Sequence, residues 1–384
     1  MRFLFILFLG FAFSVSAQST LSDPELTSYT WYLGGQWDSL VSHRKELVRE
    51  SGQDYFYLRY RIGEAAFRQQ KYRIAIDEFQ RASNLNSADT FSLKYLEAAL
   101  RETGRAQEAV KIGKKLIQLG ALPIPRYKKT SLNSVHVDLG TKISNSNAIG
   151  NLKYSSAGVN FLPHPSLALH ASFSNVGQAN YYGLVKQLVY SGFLNWQGKK
   201  GFSIRSHFSY LDISMTYNDN SQHFLQHQVG GLSARKSIEN WDLDIGVDGG
   251  NMNYDDQIQE TAGITWYPLS NSKFSLRYHV IAQQQSDEYN WIHKPSLQIG
   301  IANKVWFGLE YYSGNTRNVI ENNGFLLNNA YDKTQSRLLA SLNWYPNRHF
   351  SAYVSATHEK RTETLEGFDY ALNGIFFGMK LSPW

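Results

Sequence analysis

Trp241-Asp242-Leu243-Asp244-Ile245-Gly246-Val247-Asp248 decides the fold. Its large apolar residues alternate with acids and a glycine. A strand sorts such a run into two faces, because successive side chains point to opposite sides. The same alternation returns in Phe274, Leu276, Tyr278 and Val280 against Ser275, Arg277 and His279. It returns again in Phe202, Ile204, Phe208 and Tyr210 against Ser203, Arg205, His207 and Ser209. Turned toward lipid, these charges would cost about 2–4 kcal/mol each near the bilayer midplane, so they are expected to face inward. Period two also fixes register, since a slip of one residue would place every charge in the bilayer.

Outward from this octet, Ser131 to Trp384 reads as short alternating segments separated by turns. Tight turns are expected at Leu162-Pro163-His164-Pro165, Gly198-Lys199-Lys200-Gly201, Ser237-Ile238-Glu239-Asn240, Tyr267-Pro268-Leu269-Ser270 and Tyr345-Pro346-Asn347-Arg348. Looser polar connections are expected at Asn175 to Gly183, Asn218 to His223 and Gly314 to Thr334. Short turns on one rim and longer loops on the other are what a transmembrane β-barrel requires.

About fourteen strands follow, an even number as expected for a single-chain barrel. The candidates are Asn133–Ile143, Leu152–Leu162, Leu167–Asn175, Gln187–Trp196, Phe202–Ile213, Phe224–Lys236 and Trp241–Asn251. The remainder are Ile258–Tyr267, Lys273–Gln283, Ser296–Ala302, Val305–Gly314, Ser336–Tyr345, Phe350–Thr357 and Tyr370–Leu381. An even count places both barrel ends on the short-turn side.

The expected lumen is polar and of mixed sign. Asp138, Lys142, Asp242, Asp244, Asp248 and Glu310 stand with Arg205, Arg277, Arg337, Lys380, His207 and His279. Such an interior is either a wet conduit or a salt-bridged filling, and at fourteen strands a narrow or plugged pore is favoured. The trio Phe325-Leu326-Leu327 in the longest loop either folds inward as a constriction or caps a partner outside.

The N-terminus points to export. Arg2, the apolar run Phe3 to Phe13 and the small residues Ser14-Val15-Ser16-Ala17 have the order of a secretory signal, residues 1–17, cut after Ala17. The run is short of the ~20 residues that a spanning helix needs. There is no Cys, which excludes disulfides, Cys-held metals and lipid attachment at an N-terminal Cys. The hydrophobic fraction is 42% and aromatic residues reach 14%, with 24 Tyr, 22 Phe and 9 Trp, as interfacial girdles would need. The net charge of +6 is dispersed, so nucleic acid is not an expected partner.

Residues 18–121 carry helical spacing and an internal repeat. Gly63, Tyr72, Ala75, Phe79 and Ala82 fall at the small and aromatic packing positions of a segment that resembles a tetratricopeptide repeat. Gly104 and Ala109 take the matching places one repeat on; Gly35, Trp37 and Leu40 take them one repeat back. This resemblance implies a protein-binding scaffold. The stretch 122–130, with Leu122-Pro123-Ile124-Pro125 and the basic run Arg126-Tyr127-Lys128-Lys129, reads as a linker that ends the helices. With Lys111, Lys114 and Lys115 that run either meets anionic headgroups or is simply solvated.

The chain is therefore expected to be an α+β multidomain protein: tetratricopeptide-like helices, then an antiparallel transmembrane barrel over 131–384. Its expected place is the bacterial outer membrane, lipid around the barrel and the helices in the periplasm holding a protein partner. No nucleophile elbow, H-E-x-x-H or phosphate-binding loop occurs, so no enzyme activity and no cofactor are expected. The residues weighed for a rim hydrolase were His358-Glu359, Asp287-Glu288 and His223, and no metal-ligand spacing joins His164, His207, His227 and His279. The layout resembles both exopolysaccharide-export porins and surface-lipoprotein assembly modulators, which implies a non-enzymatic role in export or surface assembly. The competing readings are a passive channel or structural anchor, and an outer-membrane hydrolase.

Overall fold

In the computed structural model, the described residues are 23–122, 132–252, 255–285, 288–321, 326–328, 332–347, 349–364 and 366–382. The expected signal segment, most of the linker, Asp287 and Phe325 lie outside them.

Seven helices come first: α1 (Pro24–Leu33), α2 (Trp37–Ser42), α3 (Arg44–Glu50), α4 (Phe56–Arg68), α5 (Tyr72–Leu85), α6 (Thr90–Glu102) and α7 (Ala106–Gln118). Gly35, Gln70 and Gly104 each turn the chain between helices with positive φ, at 64°, 59° and 73°. Two of the three are glycine, which bears this conformation without steric cost. Leu40, Ala75, Phe79, Ala82 and Ala109 are all fully buried. Gly63 is required by packing: a Cβ there would stand 3.0 Å from the Phe79 ring. Phe79 stacks on Tyr95, with centroids 5.3 Å apart. Burial and a 2.7 Å hydrogen bond to the Glu64 carboxylate push the Tyr32 phenol up to about 12.

The rest is one closed antiparallel barrel of fourteen strands. They are β1 (Leu132–Ser144), β2 (Ile149–His164), β3 (Leu167–Asn180), β4 (Gly183–Gln197), β5 (Phe202–Tyr217), β6 (Gln222–Ile238) and β7 (Trp241–Met252). The sequence continues with β8 (Asp255–Trp266), β9 (Phe274–Gln285), β10 (Glu288–Ala302) and β11 (Val305–Thr316). After a small hairpin, β12 (Val319–Glu321) with β13 (Leu326–Asn328), come β14 (Lys333–Asn347), β15 (Phe350–Thr362) and β16 (Asp369–Leu381). Pairing of β1 with β16 closes the cylinder.

The two faces sort as the octet requires. Leu243, Ile245 and Val247 are exposed on the outer wall, Ile245 at 66%, while Asp242 and Asp248 are buried inside. Trp241 and Trp266 stack on the outer wall at the short-turn end, with centroids 5.7 Å apart.

Two expectations need correction. Asn175 to Gly183 is not a loose loop: β3 runs to Asn180 and β4 starts at Gly183. The Asn180 carboxamide accepts from the backbone N–H of Tyr182 and Gly183, closing a two-residue turn. Strand ten does not begin at Ser296 but at Glu288. Pro295 lies inside it, paired with Tyr278 of β9, while the pairing with β11 lapses between His293 and Ser296. A proline lacks the N–H that a ladder needs, so its neighbour on one side goes unbonded there.

Candidate functional site

The lumen is the candidate site, and a piece of the chain fills part of it. The described stretch after β11, Arg317–Glu321, folds inward, and Val319, Ile320 and Glu321 are almost wholly buried. Val319 packs with Ile281, Ile292 and Tyr312, and Ile320 with Val189, Leu211, Val229 and Met252. Side-chain amides from the wall grip its backbone. Gln259 donates to the Ile320 carbonyl at 2.6 Å and accepts from the Ile320 N–H at 3.1 Å. Gln257 donates to the Asn318 carbonyl at 2.8 Å, and Gln283 to the Arg317 carbonyl at 2.7 Å.

Charge completes the seal. Lys294 donates to Glu321 at 2.5 Å, and Arg337 grips both of its carboxylate oxygens at 2.6 Å. Glu310 lies 3.4 Å from Lys294 and 3.3 Å from Arg337, so two cations meet two anions. Beside this cluster Glu359 takes Lys142 at 2.6 Å and Arg361 at 2.7 Å. Breaking one partner of such a buried pair leaves an uncompensated charge.

Beside the plug remains a cavity of about 1220 Å³, lined by the first six strands and β14–β16 and including Arg337. Tyr154, Tyr217, Tyr353 and Phe376 line it together with amides such as Gln178 and Gln187. The Tyr353 ring lies over Gly378, where a Cβ would come within 2.0 Å, and its hydroxyl donates to Asp138 at 2.9 Å.

The expected lumen charges fall into separate groups. Asp138, Lys142, Glu310 and Arg337 belong to the networks above. His207 lies 3.6 Å from Asp248, and His279 3.0 Å from Asp244. Arg277 donates to the Thr265 hydroxyl at 3.1 Å, and Arg205 projects inward from β5. Lys380 is exposed near the end of β16. His358 and Glu359 face opposite sides of the wall: His358 meets Asn373 at 2.8 Å, and Glu359 is buried inside. His223 lines the cavity.

Asp242 marks a second locus, at the short-turn rim, where the helices dock. Arg73 of α5 donates to the carbonyls of Glu239 and Trp241 and pairs with Asp242. Its guanidinium lies 4.0 Å from the Tyr267 ring centroid, and its backbone N–H bonds the Ser270 carbonyl at 2.9 Å. In α7, Lys111 donates to the carbonyls of Gln197 and Gly198, and Glu108 accepts from Gln197 and the Gly201 N–H. Burial among these turns pushes the Lys111 ammonium down from its ordinary value. The turns between β4 and β5, β6 and β7, and β8 and β9 thus carry the helical domain.

Sequence reasoning missed Glu321, Lys294, Arg73 and the three glutamines. Lys294 was hidden by the strand start assigned after Pro295. Arg73 reads as an ordinary surface position of a helix, and nothing local marks Glu321.

No protein family matches the chain, and no curated protein matches it. Among the solved structures similar to it are outer-membrane barrels. The CymD monoaromatic hydrocarbon channel is 7% identical, covers 67% of this chain and 89% of its own, and has a TM-score of 0.48. A bacterial polysaccharide outer membrane secretin is 14% identical, with 66% and 99% coverage and a TM-score of 0.40. The translocator domain of the autotransporter NalP from Neisseria meningitidis is 12% identical, with 74% and 99% coverage and a TM-score of 0.32.

Proposed function

We propose that the protein is a non-enzymatic outer-membrane component for export or surface assembly of a polymer or protein. Its tetratricopeptide-like helices serve as a periplasmic docking platform. The observation that carries this reading is the polarity of the helical domain. Its α4–α5 and α6–α7 turns are fastened to the barrel through Arg73, Lys111 and Glu108, while Tyr57, Leu85, Phe91 and Leu119 at the other helix ends stay exposed. The barrel face is thus used for anchoring, and the far end keeps apolar and aromatic side chains for a partner.

Deleting Leu21 to Leu119 should remove copurifying partners while the barrel still inserts into vesicles. An unchanged partner set would overturn the proposal. A passive channel is the second reading, favoured by the cavity of about 1220 Å³. It requires conductance in planar bilayers that persists without the helices.

A further inference from the structure

The outer wall over β2–β5 changes character along its length. Near the short-turn rim it presents Phe161, Leu169, Leu194 and Trp196, then Phe173, Tyr190 and Tyr210 in one row. Beyond that aromatic row the same face gains polar residues among apolar ones such as Leu188 and Leu184. Ser155 and Asn175 stand opposite each other, and in the next row Lys153 faces Gly177, which faces Lys186.

We propose that Lys153 and Lys186, with Gly177 between them, form a site for the phosphate of a membrane lipid in the leaflet farther from the helices. Three observations carry this. The first is height. From Trp196 to Lys186 strand β4 advances about 34 Å, which at a tilt of about 40° is about 26 Å along the barrel axis. The apolar band of such barrels is about 25 Å tall, so the lysines stand where the headgroup layer begins.

The second is shape. The lysine strands are separated by one strand only, so their Cα atoms lie about 9.6 Å apart, within reach of one tetrahedral anion for two ammonium groups. The strand between them contributes no side chain at that row. A Cβ built on Gly177 would have nothing within 4 Å, which leaves an open notch between the two stems. Ser155 and Asn175 supply polar groups at its floor.

The third is charge. Both lysines are exposed, and among the described residues neither ammonium forms an ion pair. Asp212 lies diagonal to Lys186 across β4 and β5 without pairing with it. Around the barrel, outward cations toward this rim fall on β15, β2 and β4 as Lys360, Lys153 and Lys186. Outward carboxylates there include Asp212 on β5, Asp256 and Glu260 on β8, and Asp369 on β16. Of the cations, Lys153 and Lys186 are the two that stand in one row, either side of Gly177.

The proposal rests on the transmembrane reading, and the experiment separates the two. Full-length protein in neutral detergent is titrated with dimyristoyl phosphatidic acid or dimyristoyl phosphatidylcholine, and bound lipid is counted by native mass spectrometry. The expected result is selective retention of phosphatidic acid, weakened about tenfold in Lys153→Gln/Lys186→Gln through loss of charge-assisted bonds. Gly177→Ile, which keeps every charge but fills the notch, should also weaken it. Lys304→Gln, at the opposite rim, should not. Equal retention by the double variant and the parent overturns the site, and so does inorganic phosphate that binds as tightly as the lipid. Should the double variant fail to insert, Gly177→Ile decides alone. Failure of the parent protein itself to insert into vesicles would instead remove the transmembrane reading.

Discussion

Replacing Glu321 by Ala should release the plug, and the structure fixes the scale. Glu321 is the shared counter-ion of Lys294 and Arg337, at 2.5 and 2.6 Å, and is 2% exposed. Removing one partner of a buried ion pair costs about 3–5 kcal/mol. Glu310 stays within 3.4 Å of both cations and offsets part of that, so the lower end, about 3 kcal/mol, applies. At 1.4 kcal/mol per decade this raises the population of unplugged barrels about 100-fold. The chain has no Cys, so Val319→Cys gives a single thiol at a position 0% exposed. When closing is faster than labelling, the rate of thiol modification reports the open population. Val319→Cys/Glu321→Ala should react about 100-fold faster than Val319→Cys, and Arg337→Ala should act in the same direction. Equal rates would show that the ion cluster does not hold the hairpin.

Arg73→Ala should loosen the helical domain from the rim by about 3–5 kcal/mol, because Asp242 and two carbonyls lose their donor. Hydrogen exchange in α5 and α7 should quicken while barrel amides stay protected, and unchanged exchange would refute the anchoring role. Ile245→Arg, on the lipid side, should destabilise the inserted barrel by about 2–4 kcal/mol in urea titrations from vesicles. A variant as stable as the parent would contradict the assigned face.

How far the sequence reached follows from the range of each interaction. Alternation such as Trp241 to Asp248 is local, since a strand sends successive side chains to opposite faces at every residue. The strand number and the order of helices then barrel were legible for that reason. Proline misled at strand ten, because the cost of Pro295 depends on a neighbour that the local sequence does not name. The turn after β3 misled because one asparagine side chain closes it, where polar composition alone suggests a loop.

The amino-acid order alone determined a helical region followed by a two-faced antiparallel cylinder, because periodicities of 3.6 and 2 act over a few residues. Only the folded molecule decided which charges meet. Glu321 reaches Lys294 and Arg337 from a connection whose inward path depends on the whole wall. Arg73 finds Asp242 across 169 positions of sequence. Such pairings depend on barrel closure and domain placement, which no local pattern encodes.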